Sequence, residues 1–107
     1  MPYINLQSVH PAEPVEGAQA RFVHSENMTL AFWKFTSGAV IPEHAHPHEQ
    51  VSVVTKGRFE LTIEGEKKTM EPGMVAIIPS HARHSGKALT DCEIIDTFYP
   101  VREEYRK

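Results

Sequence analysis

The sequence predicts an all-β fold, a sandwich or barrel built as one domain. Three observations lead there. Short runs of β-branched and aromatic residues alternate between two faces with a period of two. Turn residues separate these runs at close spacing, Gly38, Gly57, Gly65, Gly73 and Pro79 among them. No segment repeats apolar residues at helical spacing over an ordinary helix length, which leaves no helical layer to pack against a sheet. With 107 residues the chain has room for a single domain.

Taken in order, residues 1–19 contain Pro2, Pro11, Pro14 and Gly17 without sustained periodicity. They are expected to form an N-terminal arm with at most one short edge strand. The barrel is assigned to residues 20–107, including a short C-terminal tail. Met28 to Phe35 is apolar on both faces, with Met28, Leu30 and Phe32 on one and Ala31, Trp33 and Phe35 on the other. Such a strand is expected to be covered on both sides, as at a contact between sheets or subunits, and a homodimer is anticipated. Thr36-Ser37-Gly38 turns the chain. Val51 to Thr55 is rich in β-branched residues and runs out at Gly57. Phe59, Leu61 and Ile63 alternate with Glu60, Thr62 and Glu64, the pattern of a half-buried strand. Glu64-Gly65-Glu66 closes a hairpin into Lys67 to Met70, and Pro72-Gly73 makes the next turn. Met74 to Ile78 is predicted as a short buried strand ended by Pro79. Cys92 to Tyr99 alternates again, with Cys92, Ile94, Asp96 and Phe98 on one face. The charged residues from Val101 onward are expected to make one helical turn at most.

Composition removes several function classes. Net charge is -3 and no basic block stands out, so the electrostatic footprint of nucleic-acid binding is missing. No apolar run approaches the length of a membrane span, and Met1 to Asn5 lacks the character of a secretory signal. A single cysteine, Cys92, forms no intrachain disulfide and suits a reducing compartment, so a cytoplasmic location is expected.

The histidines are the unusual feature. There are seven, and His44, His46, His48, His81 and His84 fall in two tight groups. His44 and His46 are two residues apart, so in a strand both point to the same face, and Gln50 keeps that parity. His84 is placed to add a further ligand from a neighbouring strand. Imidazoles suit zinc, copper, iron and nickel, and an amide oxygen can complete the set. Glu49 is the competing ligand, because a one-residue slip would present its carboxylate instead. His48 and His81 rank second, as exposed or supporting residues, and His10 and His24 read as structural or surface positions. The plain alternative is a set of surface histidines on a loop.

The spacing resembles a known family. Gly38, five residues, His44-Ala45-His46, three residues, Gln50, six residues and Gly57 is similar to the first cupin motif, with glutamine where glutamate is usual. Gly73, five residues, Pro79, one residue, His81, two residues and His84 is similar to the second, with His81 at the usual glycine. The resemblance implies a cupin jelly-roll barrel holding one divalent transition metal on His44, His46, Gln50 and His84. Nickel, zinc, iron and manganese all suit that donor set. Three neutral histidines with a neutral glutamine leave the full charge of a dication uncompensated, which favours a carboxylate-bearing ligand over oxidative chemistry.

Asp96 is out of place on an apolar face. A buried carboxylate needs a partner or a role, and Arg102 is a candidate partner or else a clamp for a substrate carboxylate. His44-Ala-His46-Pro-His48-Glu-Gln50 together with Asp96-Thr-Phe98-Tyr-Pro-Val-Arg102 resembles the KdgF family of pectin-degradation cupins. That resemblance implies an enzyme that converts an unsaturated uronate monosaccharide to its linear keto form. Asp96, Phe98 and Arg102 would line its pocket as catalytic residues. The competing readings are a non-enzymatic cupin that binds a small anion and an oxygen-dependent dioxygenase.

Overall fold

Ten strands build two antiparallel sheets in this computed structural model, which describes residues 2–106. They are β1 (Ala12–Val15), β2 (Ala18–His24), β3 (Thr29–Phe35), β4 (Val40–His44), β5 (Glu49–Lys56), β6 (Phe59–Ile63), β7 (Glu66–Met70), β8 (Val75–Ile78), β9 (His84–Ala88) and β10 (Cys92–Tyr99). The larger sheet runs β1-β2-β3-β10-β5-β8 and the smaller one β4-β9-β6-β7. Their apolar inner faces meet, giving a jelly roll. Phe35 of β3 packs on Phe59 of β6 with ring centroids 5.1 Å apart, so the aromatic seam joins the two sheets. Trp33 stacks beside Phe35 at 5.4 Å and extends the seam along β3.

The long alternating strand takes the central place. β10 pairs with β3 on one side and β5 on the other. Cys92, Ile94, Asp96 and Phe98 all point inward and are buried. Register then sets their neighbours: Asp96 lies between Ala31 and Ser52, and Phe98 between Thr29 and Gln50. Functional side chains from three adjacent strands are thereby brought into two cross-strand rows.

Several elements differ from the sequence expectation. Met28 lies in the turn before β3, and Thr29 begins the inward row. β2 starts at Ala18, two residues before the boundary drawn between arm and barrel. β8 is an edge strand with one face open, not a buried one: Val75 is 56% and Ile77 66% exposed. An apolar run of four cannot distinguish burial on one face from burial on two.

β9 gave no strand signal because its inward residues are His84, Gly86 and Ala88. The Phe59 ring explains the smallest of them, since a Cβ on Gly86 would run into its Cε2 and Cζ. Glycine there lets the aromatic seam pass over the strand. Gly57 is held at φ +81, and a Cβ on it would strike the Asp91 carbonyl, so the turn after β5 needs this residue. After β10 the chain makes a short 3-10 turn at Glu103–Tyr105. It docks by the backbone N–H of Arg102, which donates to Thr29 Oγ1 at 2.9 Å.

Candidate metal centre

Three strands and a loop converge at one end of the barrel. His44 ends β4, His84 opens β9, and the two are register partners. His46 follows β4 in the loop leading to β5, and the β8–β9 loop holds it there. The backbone N–H of His81 donates to the His46 carbonyl at 2.8 Å, and Ser80 Oγ donates to the Pro47 carbonyl at 2.5 Å. His81 adopts φ 67, a left-handed conformation that explains why the resembling motif has glycine at this position. His81 itself is exposed and braces the site through its backbone.

One ring nitrogen from each of His44, His46 and His84 lies within 4.8 Å of the others. Each ring uses its Nδ1 locally. His44 Nδ1 bonds the Pro42 carbonyl at 2.8 Å, His46 Nδ1 the His48 carbonyl at 3.0 Å, and His84 Nδ1 the Ala82 carbonyl at 3.0 Å. A neutral imidazole that donates from Nδ1 has a bare lone pair on Nε2, and this arrangement supports metal-binding histidines. His84 Nε2 is buried and has no hydrogen-bond partner among the described residues. Burial, with smaller contributions from the Arg102 and His84 charges, lowers the His46 pKa to about 4, so its ring is neutral near pH 7. Burial also pushes His84 down.

Gln50 is buried and its Oε1 lies 3.1 Å from His46 Nε2. With His46 donating from Nδ1, two lone-pair acceptors face each other across that gap. A cation bound by both lone pairs would resolve the conflict. The donor set fits a divalent transition metal. Glu49 faces outward and is exposed, so it stays away from this point. His48 packs edge-on to His46 at 5.5 Å and contributes only its backbone carbonyl.

Asp96 stands behind Gln50, linked by one hydroxyl. Gln50 Nε2 donates to Ser52 Oγ at 3.1 Å, and Ser52 Oγ donates to Asp96 Oδ1 at 2.5 Å. Burial pushes the Asp96 pKa up to about 6, opposed by Ser52, Gln50, the Trp33 indole and the Arg102 charge. The Trp33 Nε1 stops short of a hydrogen bond.

Of the two readings of Arg102, the ion pair with Asp96 does not form. Arg102 gives Nε and Nη2 to Glu104 Oε2, at 2.8 and 2.6 Å. Its guanidinium lies against two rings, Phe98 at 4.8 Å and Tyr105 at 4.6 Å. Phe98 in turn packs edge-on to His46 at 5.8 Å and so separates that imidazole from the arginine. His44, Gln50, His84, Asp96, Phe98 and Arg102 line one cavity of about 370 Å³. Its far wall is apolar, built from residues such as Phe35, Phe59 and Leu61.

Ser52, Thr29 and Tyr105 were not singled out in the sequence. Ser52 is the one residue of the Val51 to Thr55 run that is not β-branched, and its even spacing from Gln50 is the signal that places both on the inner face. Tyr105 stacks on Phe22 at 4.1 Å, and its carbonyl meets His24 Nε2 at 3.1 Å. His24 Nδ1 also contacts Thr29 Oγ1 at 2.9 Å, so His24 ties the tail down structurally.

The fold and this histidine cluster define a metal-binding cupin. The chain belongs to the cupin family, whose cupin domain model matches residues 31–98. It is similar to the pectin degradation protein KdgF of Dickeya dadantii, with 31% identity over 83 residues and 76% of each chain covered. Among solved structures, KdgF from a Halomonas species superposes with a TM-score of 0.87 at 33% identity, covering 95% of this chain and 94% of that one. An RmlC-like cupin from Shewanella frigidimarina gives a TM-score of 0.92 at 26% identity, covering 98% and 96%. No helix among the described residues is long and apolar enough to cross a membrane.

Proposed function

We propose that this cupin opens the ring of an unsaturated uronate monosaccharide and yields its linear keto form. The observation that carries the reading is a buried carboxylate, Asp96, in the same cavity as His44 and His84 of the three-histidine cluster, with a buried arginine in its lining. The similarity to KdgF supports the choice of sugar. A divalent ion on His44, His46, His84 and Gln50 would orient the sugar oxygens and stabilise developing oxyanion charge.

The residues divide the remaining work. Arg102 attracts the substrate carboxylate, and the rings of Phe98 and Tyr105 with Glu104 hold its guanidinium in place. Phe98 packs against the sugar and limits water at the reacting carbons. Asp96 takes the proton of the anomeric hydroxyl as the ring carbon–oxygen bond breaks. That proton is returned to the alkene carbon as the enol becomes a ketone, so the reaction is a balanced isomerisation.

The test is optical. Zinc- or nickel-loaded protein incubated with unsaturated galacturonate is expected to speed the loss of the double bond's ultraviolet absorbance. Decay at the rate of the enzyme-free control overturns the assignment. Activity that persists without oxygen separates it from a dioxygenase.

We also infer that the protein works as a homodimer joined through the outer face of the larger sheet. Two cross-strand rows run side by side across that face, Arg21, Phe32, Ile95, Val53 and Val75 in one, Val23, Leu30, Thr97, Val51 and Ile77 in the other, with the polar row Gln19, Lys34, Glu93 and Lys56 at one end. Eight of the ten residues in the two rows are apolar, and monomers seldom leave a contiguous apolar face of this kind in water. Light scattering on a sizing column is expected to give twice the chain mass. Val75→Lys combined with Ile77→Lys is expected to halve it, and a wild-type monomer would sink the idea.

A further inference from the structure

We propose that Ser52 is a positioning residue that, with Asp96, dictates an amide rather than a carboxylate at position 50. This rests on the metal-site reading and extends it to the reason for the glutamine.

The case is a count of protons. A serine hydroxyl has one proton to give and lone pairs to receive. Ser52 gives its proton to Asp96 Oδ1. Toward Gln50 it can then only accept, and Gln50 Nε2 donates to it at 3.1 Å. The amide has one orientation left, with Oε1 turned to the histidines and 3.1 Å from His46 Nε2. Flipping the amide would direct Oε1 at Ser52, draw the hydroxyl proton away from Asp96 and point an N–H at the cation site. All three groups are buried, so water does not make good the loss.

A glutamate at position 50 breaks the sequence of donors. It has no proton to offer, so Ser52 would face two carboxylates with one hydroxyl proton, and both acids would sit one hydroxyl apart with little exposure to solvent. The site thus holds one carboxylate, at position 96, where it meets substrate and not the metal. The charge on the metal centre is set from β10, through a residue that touches neither ion nor sugar.

The experiment is a four-protein cycle of zinc affinity at one fixed pH, measured by competition with a chelating dye. It compares wild type, Gln50→Glu, Asp96→Asn and the double variant. A carboxylate ligand ordinarily tightens zinc binding. Gln50→Glu is expected to do so at least about tenfold more in the Asp96→Asn background than in the wild-type one. Equal effects in the two backgrounds overturn the coupling.

Ser52→Ala is expected to weaken zinc binding about 10- to 100-fold, as losing a ligand's supporting partner does. Ser52→Thr retains the hydroxyl and is expected to restore it. Wild-type affinity in Ser52→Ala overturns the positioning role. Wild-type zinc binding that His84→Ala leaves intact refutes the metal site itself. Binding that His84→Ala abolishes, together with an additive cycle, refutes only this coupling.

Discussion

Asp96→Asn is expected to bring the decay of unsaturated galacturonate down to its uncatalysed rate while zinc stays bound. Losing a positioned proton-transfer group typically costs about 10²- to 10⁴-fold, and asparagine can neither take nor return a proton. The same change is expected to stabilise the metal-free protein. The carboxyl has an ordinary value of 3.8 and is raised to about 6 in the folded state. The folded chain therefore holds a proton that the unfolded chain releases between these values, and stability falls as pH rises through this window. Above pH 6 the burial of the charge costs about 3 kcal/mol, taking about 1.4 kcal/mol for each pH unit between the two values.

Asparagine still accepts from Ser52 and carries no charge, so it removes most of that cost. At pH 8 the metal-free variant should melt several degrees above wild type, and at pH 4 the difference should vanish. A bound dication offsets part of the penalty, which is why the comparison uses stripped protein. Thermal melts at the two pH values decide it. An equal or lower melting temperature at pH 8 would show that Asp96 is not a buried charge held for chemistry.

His84→Ala should have the largest effect on metal binding. Its Nε2 is buried without a partner among the described residues, so the protein itself offers this atom no bond to offset its desolvation. Removing it is expected to lower zinc affinity by more than about 100-fold, beyond the loss caused by removing a ligand's supporting partner. Wild type is expected to melt higher with added zinc, since an ion that binds only the folded state stabilises it by mass action. That rise should disappear in His84→Ala, whereas the stripped protein should melt within a few degrees of wild type. His48→Ala serves as the contrast, because His48 hydrogen-bonds the cluster through its backbone carbonyl, which alanine keeps, and its zinc response should persist. Elemental analysis after metal loading gives the second readout.

The parts of this structure that could be read in the sequence are those where burial on one face enforces alternation. β10 is the clearest: a strand central to the larger sheet must send every second residue inward, and Asp96 falls in that row. The histidine spacing was legible because His44, His46 and His84 lie on a fixed framework of turns. β9 was not legible, because its inward residues are small to clear Phe59, and small residues carry no hydrophobic period. Nor was the partner of Arg102. The sequence reading offered only Asp96 as a candidate partner, while Glu104 lies just two residues beyond the arginine. The 3-10 turn after β10 decides between them by folding Glu104 back onto the guanidinium. Ser52 escaped notice because, in a run of strand-forming residues, a serine looks like filler until its two neighbours are in place.

The tail that carries Arg102 and Tyr105 makes no ladder hydrogen bonds. It is held by the Thr29 hydroxyl, the His24 ring and the face of Phe22. Under the proposed function, the barrel would supply the ion-binding cluster and the proton-handling acid from its strands, whereas the anion-reading arginine would sit on a short tail outside the ladders. Two kinds of change are thereby kept apart. Under that reading, substitutions in the tail would bear on which acid is admitted while leaving the sheet ladders intact, and substitutions in the sheets would act on fold and chemistry together. A lineage built this way would change its substrate by rewriting one short segment, and a designer would have the same handle.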